Sequence, residues 1–165
     1  MSVITANRNQ TVNIGITVEN REKIARRLEL LLADEHVLYV KTRNYHWNVR
    51  GMNFQPLHEF FGQQYALIEV EIDEIAERIL QLGFFSPGSM DVFAEMSRLN
   101  ETDHLNGQAE LMIRNLLNDH EAIIRELRQD VELAEQAGDA GTADYLTALM
   151  EKHEKMAWML RVHLG

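Results

Sequence analysis

His46 and His58 lie twelve residues apart, and Asp73 and Glu77 follow fifteen and nineteen residues beyond His58. Imidazole nitrogens and carboxylate oxygens together suit a transition metal such as iron or zinc. Asp73 and Glu77 stand at i, i+4, where two side chains of a helix can reach one ion. The chain has no cysteine, which removes thiolate metal sites and a disulfide framework. Gly62, four residues after His58, occupies a position where a further acid would join the same strip.

Helices must carry these residues. From about Val18 to Val49 apolar residues recur at helical spacing, through Ile24, Leu28, Leu31, Leu38 and Tyr45. Thr17 suits the cap of this helix and Glu19 its first turn. "RGMN" breaks it. A second helix is predicted from an Asn53 cap, with Pro56 in the first turn, to about Leu82, where Gly83 ends it. Its core stripe is Leu57, Phe61, Ile68, Ile72, Ile75, Ile79 and Leu82. A connection from Gly83 to about Leu105 is too long to be structureless, and "SMDVFAEMSRL" reads as a short helix within it. A third long helix follows from about Gly107 to Gln136. "AGDAG" then turns the chain into a fourth, from about Thr142 to His163.

The connection lengths set the topology. Short first and last loops make antiparallel hairpins, and the long middle one must cross the bundle. That is an all-α, ferritin-like four-helix bundle whose single long crossover carries a short helix. Residues 1–17 read as a tail and 18–165 as one bundle domain.

At 100° per residue, His58, Gly62, Glu69, Asp73 and Glu77 share a strip of the second helix. A solvated polar face is the ordinary reading of such a strip. Reach sets this one apart: His58 and Asp73 are separated by about 22 Å along the axis, too far to share an ion. A two-fold axis removes the difficulty. If a second copy of the helix lies antiparallel, crossing near Leu67, His58 of one chain meets Asp73 and Glu77 of the other, and two equivalent sites form. His46, just before the turn, can join His58.

The net charge of −10 opposes wrapping a polyanion, because DNA affinity comes largely from Lys and Arg at phosphates. The first seventeen residues hold one cation, Arg8, and no basic tail ends the chain. No apolar run approaches the ~20 residues of a membrane span. The N-terminus lacks the regions of a signal peptide, so a cytoplasmic location is expected.

Residues 46–83, "HWNVRGMNFQPLHEFFGQQYALIEVEIDEIAERILQLG", resemble the Dps family (DNA-binding protein from starved cells), the mini-ferritins. The specific core is "HWN…G…F…LHE" followed by "D…AER". The resemblance implies a hollow dodecamer built from two-fold dimers, which oxidises Fe(II), preferably with hydrogen peroxide rather than dioxygen, and stores ferric mineral. It implies that His46 and His58 from one subunit bind iron with Asp73 and Glu77 of its two-fold partner, and that Trp47 beside the iron absorbs stray oxidising equivalents. Acidic pores at the turn between the last two helices would draw on Asp139, Asp144 and Glu135, and Glu59 is a candidate mineral nucleator. Capping and a solvated turn are the competing reading of those turn acids. Gly62 departs from the family, which usually places aspartate there to hold a second, weaker iron. The tighter position (His46, Asp73, Glu77) is therefore expected to persist and the second to be weak. The alternatives are a DNA-coating protein without enzymatic activity and a shell that buffers zinc or another metal.

His120 and His153 continue the apolar faces of their helices and read as core histidines. A metal between them would follow the intrachain pattern of related bundles, which uses a Glu-x-x-His on each of two helices. Here the one such string is Glu101–His104. Tyr45 and Tyr65 lie near the proposed site, as packing residues or redox partners.

Overall fold

The computed structural model describes residues 11–101 and 105–165. Five helices follow in chain order: α1 (Val18–Asn48), α2 (Phe54–Gln81), α3 (Met90–Met96), α4 (Ala109–Gln136) and α5 (Ala140–Val162). Thr17 is extended, and its hydroxyl accepts from Asn20 N at 3.3 Å, capping α1 as its sequence position predicts. Asn53 differs. At φ −98° and ψ 23° it lacks the extended backbone that turns a side chain onto the first helical turn, and its amide makes no cap. α5 begins at Ala140 rather than Thr142, because Asp139 is its cap and accepts from Thr142 N at 3.0 Å.

Gly83 ends α2 at φ +93°, and a Cβ there would meet Arg21 and Val12 side-chain atoms at 2.8 Å. Only glycine combines that backbone with that approach. The crossover then returns to the opposite end of the bundle. Arg50 N, in the α1–α2 turn, donates to Gly107 O at 3.1 Å, so α4 starts beside that turn. At the other end, Asn20 Nδ2 at the start of α1 donates to Ala137 O at the end of α4. α1 and α2 are therefore antiparallel, as are α4 and α5, and α2 and α4 run parallel across the long connection. This is the single-crossover bundle that the loop lengths predict.

All of Ile24, Leu28, Leu31, Leu38 and Tyr45 are buried, as are Leu57, Phe61, Ile68, Ile75, Ile79 and Leu82; Ile72 is partly exposed at the margin of the stripe. α3 packs on α1. The segment after it is tied by Asp34, whose carboxylate accepts from Ser97 Oγ, Arg98 N and Arg98 Nε at 2.6–3.0 Å. Lys41 holds the same crossover by donating to Asn100 O and Asp119 Oδ2. These charge-assisted bonds fix a connection that contributes few core residues of its own. Among the described residues, no helix is long and apolar enough to cross a membrane.

Candidate metal centre

His46 sits in the last turn of α1 and His58 in the second turn of α2, so the short 49–53 turn brings them face to face. Their rings stack with centroids 3.7 Å apart and planes 22° apart. Each ring is locked by the other's backbone: His46 Nδ1 donates to His58 O at 2.6 Å, and His58 Nδ1 donates to His46 O at 2.8 Å. A carbonyl oxygen can only accept, so both Nδ1 atoms carry the hydrogen. In a neutral imidazole that leaves the lone pair on Nε2, the tautomer and orientation a metal ligand requires. Both rings are half-buried.

Asp73 and Glu77 are exposed on α2, and neither makes an ion pair or hydrogen bond among the described residues. No three His, Asp or Glu side chains within one chain converge on a point able to hold a metal, again among the described residues. A single chain thus brings the two histidines together and leaves the two carboxylates apart from them. Between the two groups α2 exposes Leu67 (52%) and Val70 (56%), an apolar outer surface at the helix midpoint.

Gly62 faces the His46 ring. A Cβ built there would lie 3.4 Å from His46 Cε1 and Nδ1, ordinary van der Waals contact, so space does not require glycine.

Around His46 the structure assembles a group of rings. Tyr65 meets His46 edge-on at 5.3 Å, and Tyr39 meets Tyr65 edge-on at 6.0 Å. The Arg43 guanidinium lies over Tyr39, Tyr65 and Trp47, at 5.4, 5.5 and 5.1 Å. Arg43 Nη1 donates to Tyr39 Oη at 2.9 Å, and Tyr39 Oη donates to Glu69 Oε1 at 3.2 Å. Glu69, one of the polar strip, therefore has a partner inside the chain. Trp47 is 62% exposed. Tyr45 is buried and accepts from Asn115 Nδ2 at 3.1 Å, a packing role. Tyr39 and Arg43 are absent from the sequence reading, although Tyr39, Arg43 and Trp47 fall at i, i+4, i+8 and so share one helix face.

The turn acids separate. Asp139 is buried, and both its oxygens are engaged, accepting from Thr142 and from Arg78 Nη2 at 2.8 and 3.0 Å. Burial raises its carboxyl, but the Thr142 hydrogen bonds and the Arg78 charge outweigh it and hold the group below the usual value. Within the chain Asp139 is thus a helix cap and ion-pair partner, the capping role that competes with a pore role for this turn acid. Asp144 and Glu135 remain exposed and line a shallow depression with Gly138, Ala140, Ala143 and Thr147. Glu59 is exposed and accepts from Gln55.

His120 and His153 are fully buried and touch directly, Nδ1 to Nδ1 at 2.9 Å, with no room for an ion between those atoms. His153 Nε2 stands 2.8 Å from a carboxylate oxygen of buried Glu35, a contact joining α1 to α5. Desolvation and the neighbouring His153 charge push His120 well below its usual value. His104 lies outside the described residues.

The fold defines the class: a ferritin-like bundle, and the ferritin-like domain model matches residues 25–165. The chain is 44% identical over 151 residues to a low temperature-induced protein of Nostoc, covering 91% of this chain and 84% of the other. It is 38% identical over 134 residues to the DNA protection during starvation protein 2 of Bacillus anthracis, covering 81% and 91%. Among solved structures it resembles the Dps protein of Vibrio cholerae, described as one of the ferritin-like diiron-carboxylate proteins. That match has a TM-score of 0.88 at 32% identity, covering 94% and 98% of the two chains. The chain belongs to the Dps family.

Proposed function

We propose that this protein is a ferroxidase and iron store that protects against oxidative damage, with its metal sites shared between two-fold-related subunits. The observation that carries the proposal is the reciprocal locking of His46 and His58, which fixes two imidazoles with Nε2 available. Pairing two α2 helices antiparallel about Leu67 and Val70 covers that apolar surface. The same pairing brings Asp73 and Glu77 of each copy to the histidines of the other. The family and the diiron-carboxylate description of the Vibrio relative support iron over zinc as the metal.

Fe(II) enters as substrate. Acidic openings, for which exposed Glu135 and Asp144 are the candidates, raise its local concentration. Imidazole and carboxylate ligands bind it, and the anionic oxygens stabilise ferric charge more than ferrous, which eases electron loss. Hydrogen peroxide is the proposed oxidant: two electrons from two Fe(II) and two protons convert it to two waters. Ferric product then deposits on acidic inner surface, where Glu59 is a candidate nucleator, inside a dodecameric shell. The net charge of −10 argues against DNA coating despite the name of the Bacillus relative.

Asp73→Asn tests the reading. With assembly verified by size, peroxide-dependent Fe(II) oxidation is expected to fall by about an order of magnitude or more, the scale of losing a ligand or its support. Unchanged kinetics would reject the site.

A further inference from the structure

The Gly62 position bears on electron supply. Peroxide needs two electrons to become water, and a site that holds one Fe(II) tightly supplies one. A second one-electron donor must then lie near His46, or the remaining equivalent leaves as hydroxyl radical. We propose that Tyr39 is that donor, with Tyr65 as the intervening ring and Glu69 as the proton acceptor. The inference rests on the ferroxidase reading above.

The geometry distinguishes Tyr39 from its neighbours. From His46 the path crosses two ring contacts, 5.3 Å to Tyr65 and 6.0 Å on to Tyr39. Tyr65 makes no hydrogen bond through its hydroxyl among the described residues, so none of them stands ready to take its proton. Tyr39 has one: its hydroxyl donates to Glu69 Oε1. Arg43 donates to the same oxygen and continues to do so once the proton has left, so the oxidised ring keeps a hydrogen bond. Trp47 is nearer in sequence, but the Arg43 guanidinium lies 5.1 Å from its ring. Removing an electron from an indole first creates a cation, which that guanidinium opposes. Loss of a proton with the electron leaves Tyr39 a neutral radical and avoids the repulsion. Packing alone would need the rings but not a hydroxyl set between a carboxylate and a guanidinium.

The step balances. Fe(II) gives one electron and the Tyr39 phenol the other; the peroxide O–O bond breaks, and two solvent protons complete two waters. The phenolic proton passes to Glu69. The products are Fe(III), a neutral phenoxyl radical on Tyr39 and protonated Glu69. A following Fe(II) returns the electron and Glu69 returns the proton, restoring Tyr39–OH and the carboxylate. Two Fe(II) are then consumed per peroxide even though they arrive one at a time.

The test uses the assembled protein loaded anaerobically with one Fe(II) per subunit, pulsed with hydrogen peroxide and freeze-quenched. Fe(III) absorbance, electron paramagnetic resonance and a hydroxyl-radical spin trap are read on the same preparation. The wild type is expected to show a neutral tyrosyl signal. Tyr39→Phe, which removes one oxygen and keeps the ring, loses that signal and gains spin-trap adduct. Glu69→Gln weakens the signal, and Trp47→Phe keeps it. Fe(III) formation without a tyrosyl signal, or a signal that persists in Tyr39→Phe, would overturn the relay and leave the ferroxidase reading standing. Failure of the wild type to oxidise iron faster than a protein-free control would overturn both.

Discussion

Gly62→Asp adds a carboxylate where the proposed second metal position would lack one. Gly62 has no positive φ, so an L residue fits the backbone. The new Cβ would stand 3.4 Å from His46 Cε1 and Nδ1 and 4.0 Å from Tyr65 Cε1, contacts that need no displacement. Glycine in a helix interior is about 1 kcal/mol worse than alanine and aspartate up to about 0.7, so folding stability changes by only a few tenths of a kcal/mol. Metal affinity should move much more. Losing an outer-shell partner costs about 10–100-fold, so gaining a direct anionic ligand brings at least about tenfold, or about 1.4 kcal/mol. Anaerobic calorimetric titration with Fe(II) is the assay. The wild type should bind one tight ion per subunit and Gly62→Asp two, with unchanged oligomer size and thermal midpoint. Two tight ions in the wild type, or an identical single step in the variant, would refute the reasoning.

Two further outcomes follow from buried groups. Burial and the neighbouring His153 depress the folded-state value of His120 well below the usual histidine value of about 6.5, so the unfolded chain takes up a proton there that the native core refuses. Its stabilising contribution is complete above that value and falls with pH below it, by up to about 1.4 kcal/mol per pH unit. Denaturant unfolding measured between about pH 6.5 and 5 should show a shallower loss in His120→Gln than in the wild type; equal slopes would contradict the assignment. Burial raises the Asp139 carboxyl, but Thr142 and Arg78 outweigh it and hold the group below the usual aspartate value of about 3.9, so its contribution is present above that value and lost as pH falls through the lower folded one. At neutral pH, Asp139→Ala should cost about 0.5–2 kcal/mol for the cap alone and more for stranding Arg78, whereas Asp139→Asn keeps the cap and loses less. Equal unfolding free energies for the two variants would contradict this division.

The bundle is legible because its signals are local and redundant. The helical spacing of Ile24 through Tyr45 and the Gly83 stop each predict what the structure contains. The histidine–carboxylate arrangement is legible as a reach problem, since helix rise alone separates His58 from Asp73. Asp139 is not legible in the same way, because an acid in a turn reads alike whether it faces solvent or caps a helix. Its role depends on Arg78, sixty-one residues earlier. Tyr39, Arg43 and Trp47 share a visible spacing, but their meaning needs Tyr65 and Glu69 from the neighbouring helix. The direct His120–His153 contact likewise depends on how two faces meet, which no single-helix pattern encodes.

The central claim is that each metal site draws its nitrogens and its oxygens from different subunits. Subunit mixing tests it directly, by dissociating and reassembling His46→Ala/His58→Ala chains with Asp73→Asn/Glu77→Gln chains. Each variant alone should be inactive. In a mixed two-fold pair one site inherits both defects and the other none, so random one-to-one reassembly should restore about a quarter of wild-type peroxide-dependent iron oxidation. Reassembled shells of normal size that recover no activity would contradict a shared site.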